Sequence, residues 1–453
     1  MTNRAISLVQ RVAVIVTCLL LCQSLHYSQT VNNETVVKLR LSLDLKGSRW
    51  ITFSPVSKLL AVQRADGSIQ ILDITDGREQ AVLPLTEKAE YDMHWTSDGL
   101  RLLVVSSTSA ALWEARSGKR LSTLIDIQRN KGAWFFGRVT LSADEKILLN
   151  VKQDESFKAR VFGWEKPTVQ VWSVESGQLK FQTRIKGMYS YAELSSTGKR
   201  VLTRSENEDP KLWDAETGRL LARLQPQPPM FREGSDARFS PDGRFVIQTH
   251  ESGTYIWHSS SAVINVRVPF QKDSSDSILK GFSRDGKMFV TSQERGGRHP
   301  RASIDFRDCE TGELRYTFTA PKWDGWPDQL LWSDDGRTLV AASGYSKYEA
   351  RVWDVGTGRF KATFPMLLTY NRIPFDFGFN DRDQLTIHPT LPIISAGSNK
   401  FIRLWNADTG ELLQKLNNTE GSGQWTADGS LFLTFTKDRE SAQVWDVTGA
   451  ALQ

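Results

Sequence analysis

Six histidines, three cysteines and 52 acidic side chains are the groups in this 453-residue chain that could do chemistry. A metal site or an acid–base pair needs such groups at fixed spacings, as in a helical H-E-x-x-H. His26, His94, His250, His258, His299 and His388 are scattered, and none stands in such a pattern. There is no Gly-rich phosphate loop, nucleophile elbow or Cys-x-x-Cys. Cys18 and Cys22 lie in an apolar N-terminal run, which leaves Cys309 beyond it. One thiol cannot close an internal disulfide. Asp66, Asp98, Asp242 and Asp285 sit in short turn sequences, where a carboxylate caps its own backbone. His388 occupies a turn position that other segments fill with Ser or Thr, so its expected role is structural. These residues predict no enzyme, no metal and no cofactor.

The first residues point to export. Residues 1–11 carry Arg4 and Arg11 but no acid, residues 12–22 form an apolar run, and Gln23 and Ser24 follow. That order is a secretory signal peptide, and the run falls short of the roughly 20 residues that span a bilayer. The expected division is a signal peptide over 1–24, a short linker over 25–34 and a folded body over 35–453. Cleavage near Ser24 would leave a periplasmic or secreted chain with no transmembrane segment. Acylation of Cys22 fits less well, because Leu21 stands where a small residue belongs. A buried N-terminal strand is a further alternative. Sequons at Asn33 and Asn417 would matter only in a eukaryotic secretory route. Net charge is +5, from 57 basic and 52 acidic residues, without a long basic block, which argues against nucleic acid as the partner.

The elements that position these residues come from repetition. Nine times an apolar residue is followed by Ser, Thr or His and a turn: FSPVSK from Phe53, WTSDGL from Trp95, LSADEK from Leu141, LSSTGK from Leu194, FSPDGR from Phe239, FSRDGK from Phe282, WSDDGR from Trp332, IHPTLP from Ile387 and WTADGS from Trp425. Asp-Gly between β-rich runs is a hairpin signal, since Gly supplies the positive φ the turn needs. A second pattern alternates with the first, as in KLWDAETG ending at Gly218 and VWDVGTG ending at Gly358. Its Trp position is held by Leu72, Trp113, Trp172, Trp213, Trp257, Arg307, Trp353, Trp405 and Trp445, at intervals of 40 to 59 residues. Four strands per unit at such a period predict an all-β propeller.

On these motifs the chain resembles the WD-repeat family from about residue 36 onward, as a degenerate, bacterial-style, exported member. The resemblance implies a radial array of four-stranded blades, with the Trp side chains packing between them and protein binding as the usual role. The Gly-His pair expected before each first strand is missing, and the Asp before the third strand is clear only at Asp66. The His–Ser–Asp–Trp hydrogen-bond chain of the family therefore cannot form as usual, and packing is expected to hold the blades.

Residues 35–45, TVVKLRLSLDL, alternate apolar and polar side chains with a period of two. They are the expected outer strand of the last blade, closing the ring by pairing the first and last segments. Nine units then predict nine blades, with eight and one peeled unit as the alternative.

Excess loop length marks where function is expected. The expansions start at Lys152 and Glu294, between second and third strands, and at Met366, between a fourth and a first strand. Both connection types open on one end of a propeller. Aromatic and basic residues gather in them: Trp134, Phe135, Arg160, Phe162, Trp164, Arg298, Arg301, Trp323, Trp326, Tyr345, Tyr348, Arg372, Phe375 and Phe377. Aromatics beside Arg are what interface hot spots are made of. A monomeric scaffold that binds a protein or peptide on this face is the leading expectation. A glycan-binding or hydrolase- or lyase-type propeller working at the central channel is the alternative. Inner strands such as WITFS, MHWTS and QLLWS, mostly apolar or Ser/Thr, speak against catalysis there.

Overall fold

Runs of Val, Ile, Leu, Phe and Thr between Gly-containing turns leave the backbone little choice but hairpins. The computed structural model describes residues 36–48, 50–85, 92–106, 109–125, 139–152, 167–185, 191–205, 208–225, 236–250, 253–269, 274–295, 301–319, 329–343, 349–365, 385–397 and 401–448. Among these residues there are 36 strands, arranged in nine four-stranded antiparallel sheets, and no helix. Eight sheets are simple meanders, as in blade 7, where Gln329–Trp332, Thr338–Ser343, Glu349–Asp354 and Phe360–Pro365 lie side by side in chain order. Blades 1 to 8 span 50–83, 92–125, 140–184, 191–223, 236–268, 274–318, 329–365 and 385–417. The blade number is nine.

A sheet buried on both faces needs a neighbour on each side, and the ring provides it. The described core falls into nine apolar clusters, one at each junction between consecutive blades. First strands of neighbouring blades approach one another, so they form the inner wall. Trp353 and Trp405 stack on Phe318 and Phe364 of the preceding blade, with centroids 6.1 and 5.3 Å apart. Trp113, Trp172 and Trp257 are buried at equivalent positions, whereas Trp213 and Trp445 are half-buried.

Packing is not the whole of it. Trp213 Nε1 donates to Thr203 Oγ1 at 2.9 Å, Trp445 Nε1 to Thr434 Oγ1 at 2.9 Å, and Trp257 Nε1 to Gln248 Oε1 at 3.1 Å. Three blades thus keep a polar anchor from Trp to the second strand, a bond that does not depend on the missing Gly-His pairs. The Trp113, Trp172 and Trp405 indole nitrogens have no such partner among the described residues, and those blades rely on packing.

Blade 9 closes the ring. Its strands Thr419–Trp425, Leu431–Thr436 and Ser441–Val447 are completed by Val37–Asp44, which pairs antiparallel with Ser441–Val447. The strict alternation read from the sequence is broken by a β-bulge between Leu39 and Leu41. A bulge adds a residue and reverses the side-chain sense beyond it. Leu39 is therefore 47% exposed, while Leu43 and Leu45 enter the cluster shared with Phe53, Leu60 and Leu433. The Gln414 side chain of blade 8 holds the strand's start, accepting Val36 N–H and Val37 N–H at 2.8 and 2.9 Å and donating to the Val37 carbonyl at 3.0 Å.

Candidate functional site

Antiparallel meanders sort their connections onto two ends. First-to-second and third-to-fourth turns share one end; the remaining connections share the other. At the short-turn end the Ser or Thr of each repeat is fixed by chemistry within its own turn. Ser240 Oγ donates to Asp242 at 2.6 Å and accepts Phe245 N–H at 3.0 Å, while Asp242 accepts Arg244 N–H at 3.0 Å. Thr96 with Asp98, Ser142 with Asp144, Ser283 with Asp285, Ser333 with Asp335 and Thr426 with Asp428 repeat the arrangement. At the opposite end, in the turn between the second and third strands of blade 1, Asp66 likewise accepts Ser68 N–H and Oγ–H. The hydrogen bonds from Ser142 and Ser333 hold Asp144 and Asp335 below the ordinary carboxylate range. At Asp428 burial pushes the carboxyl up, but bonds from Lys58, Thr426 and Ser430 together outweigh it and hold it well below that range. These carboxylates are engaged in turns. Cys309 is buried, and its thiol is pushed up to about 12, first by burial and then by Asp242 and Asp308. A thiol so held is inert.

The same end is stitched across every junction of the ring. Going round from blade 1, the bridges are Arg116–Asp73 at 3.8 Å, Arg101–Glu145 at 3.3 Å and Lys180–Glu216 at 2.5 Å. Arg200 Nε then donates to the Ser259 carbonyl at 3.2 Å, Arg244 pairs with Glu310 at 3.8 Å, and Arg284 pairs with Asp334. Lys361–Asp408 at 2.8 Å, His388 on the Gly429 carbonyl at 2.9 Å, and Lys58–Asp428 at 2.7 Å complete the circuit. Each exposed pair is worth at most about 1 kcal/mol. Together they fix how neighbouring blades sit.

The opposite end is where the long connections leave. Of the residues expected to bind there, Trp134, Phe135, Arg160, Phe162, Trp164, Arg298, Trp323, Trp326, Tyr345, Tyr348, Arg372, Phe375 and Phe377 lie outside the described residues. Arg301 is described, and it is a strand residue: it begins Arg301–Asp308 and pairs with Arg295. The expansion read from Glu294 is thus partly a longer hairpin, with Met288–Arg295 and Arg301–Asp308 paired along their whole length. Residues 153–166 and 366–384, which hold most of the other two expansions, lie outside the described residues.

Two features at this end were missed in the sequence. Trp50, the first residue of the inner strand Trp50–Ser54, is 45% exposed. Its place four residues before the turn Ser54 would have located it at the long-connection end. Counting back two residues instead of four selects Thr52, His94, Thr140, Glu193, Arg238, Thr386 and Gln424 on seven inner strands, with Gly281 and Leu331 on the other two. Most are partly exposed, so this row is more polar than the strand sequences read as blocks implied. Glu193 also accepts Phe239 N–H of the next blade at 3.4 Å. Among the described residues no group of three His, Cys, Asp or Glu could hold a metal ion, and no helix is long and apolar enough to cross a membrane.

No family model matches the chain. Over 195 residues, 42% of its length, it is 27% identical to the WD repeat-containing protein SL1-17 of Schistosoma mansoni, and the match spans 58% of that protein. Among solved structures it is similar to a crystal structure of the eukaryotic initiation factor, with a TM-score of 0.59 at 15% identity, covering 87% of this chain and 94% of that one. It is also similar to the C-terminal WD40 domain of Sif2, with a TM-score of 0.50 at 11% identity, covering 92% and 99%. At these identities the solved structures speak to the fold alone. Nine repeats closed into a ring, with Trp side chains packed between the blades, make this chain a nine-bladed β-propeller that is similar to WD-repeat proteins.

Proposed function

We propose that the chain is a non-catalytic scaffold, exported from the cytoplasm, that holds a protein partner on the long-connection end of its ring. One observation carries the reading: the short-turn end spends its polar groups on its own turns and on bridges across all nine junctions. What remains free to vary is the other end, and there the sequence concentrates Trp, Tyr, Phe and Arg. Replacing Trp164, Trp323 or Trp326 by Ala, then measuring capture of a partner from native extract, tests it. Capture equal to that of the parent for all three would defeat the proposal. Binding to a glycan array in place of a protein would move it to the carbohydrate alternative. Export has its own test. N-terminal sequencing of chain from a secreting host should begin near Leu25, and an intact Met1 in the soluble cytoplasmic fraction would contradict it.

A further inference from the structure

The turn after the first strand of blade 8 differs from its eight counterparts. They use Ser54, Thr96, Ser142, Ser195, Ser240, Ser283, Ser333 and Thr426, whose hydroxyls do not titrate near neutral pH. Here His388 takes the place, and it is 2% exposed. Its Nδ1 accepts two backbone N–H groups, from Thr390 at 3.1 Å and Leu391 at 2.9 Å. Its Nε2 lies 2.9 Å from the Gly429 carbonyl oxygen of blade 9. A nitrogen accepting two N–H bonds has no room for a proton, so Nε2 carries the hydrogen and donates it to Gly429. The ring also meets Trp425 of blade 9 edge-on, with centroids 4.8 Å apart. One imidazole therefore closes a turn in blade 8 and bridges to blade 9.

We infer that His388 makes the joint between blades 8 and 9 acid-labile. Protonating Nδ1 removes the acceptor both turn N–H groups use and points a new N–H at them. The charged groups facing the ring do not compensate. Asp334, from the turn of blade 7, is paired with Arg284, and Asp428, from the turn of blade 9, is paired with Lys58. Burial pulls His388 below the ordinary imidazole value and outweighs the upward pull of the Gly429 carbonyl and these two carboxylates. The ring packs so closely on Gly429 that a Cβ added there would collide with His388 Cε1, a place only glycine leaves open.

The direction of the pH effect follows. With the folded value depressed, the unfolded chain takes up the proton first. The stabilisation is complete above about pH 6.5 and is lost as pH falls through the folded value.

The test is the melting of the full chain and of His388→Asn at about pH 7.5 and about pH 5, either side of the imidazole range. The Asn side-chain oxygen can accept the same two N–H groups without titrating. The parent should lose more melting temperature on acidification than the variant, and the variant's curve should be flatter. Equal losses would overturn the inference. Hydrogen exchange in the parent gives a reading that does not depend on the variant folding. After correction for intrinsic rates, residues 385–397 and 419–431 should lose protection at the lower pH before blades 3 and 4 do. Uniform loss round the ring would also overturn it.

Discussion

The two ends of this ring are built from the same strands, yet they solve opposite problems. At the short-turn end a Ser or Thr and its Asp lock six of the nine first hairpins from within, and a polar bridge crosses each junction. That end still exposes Val56, Leu100 and Val263, but its turn carboxylates are committed to the fold. The long-connection end is freed from that task, because the apolar clusters between the blades and the stitched end already hold the ring. Regular geometry at one end is what permits irregular sequence at the other.

The largest effect should come from breaking the closure on which both ends depend. Deleting residues 35–45 strips the edge of Ser441–Val447 and removes Leu43 and Leu45 from the cluster they share with Phe53, Leu60 and Leu433. Aggregation, or a loss of several degrees in melting, is expected by light scattering and calorimetry; a monomer with unchanged melting would show that another segment closes the ring. Next comes Trp353→Ala, which removes a fully buried indole stacked on Phe318 and should cost about 3–5 kcal/mol in denaturant titration. A cost below about 1 kcal/mol would mean the blade junctions do not depend on these indoles.

Smaller changes probe the short-turn end. Gly99 has φ +69°, and a Cβ there would lie 2.5 Å from Ser54 Oγ and 3.0 Å from Ser57 N of the adjoining turn. Gly99→Ala should cost at least about 1–2 kcal/mol, the penalty for a side chain in left-handed backbone. A neutral result would show that these turns need not touch. The smallest effect is that of Lys58→Met, at most about 1 kcal/mol at neutral pH, because the Asp428 it pairs with is half exposed. Asp428 is depressed in the fold, so its contribution is present above the free carboxylate value near 3.9 and is lost as pH falls through the folded value. The variant should therefore lose less stability on acidification than the parent; parallel curves would remove Asp428 from the account of acid sensitivity.

How much of this could be read in advance depends on the range of the interaction. Hairpins were legible because Asp-Gly and Thr-Gly act over a few residues, and the turn carboxylates followed from the same local chemistry. Closure by the N-terminal strand was legible from alternation, but not its bulge, which arises only when Leu39 and Leu41 are set against Trp445 and Val444. The junction bridges were not legible, since Lys58 and Asp428 are 370 residues apart in sequence. Nor was the Trp213–Thr203 bond, because the indole reaches Thr203 only once the second and third strands of blade 4 are set in register. Of the candidate binding residues the strand register fixes Arg301 alone, and it turned a presumed loop residue into a hairpin rung.

The contrast between the ends is tested most directly by measuring melting temperature and partner capture together for Trp164→Ala, Trp323→Ala and Trp326→Ala, with Trp353→Ala as the core reference. If the long-connection end is the binding face, replacing an anchor there should cost roughly 2 kcal/mol or more of affinity. Capture should then fall while melting stays at the parent value, and Trp353→Ala should melt early. Early melting with intact capture in the three loop variants would return those residues to the core and contradict the division of labour between the two ends.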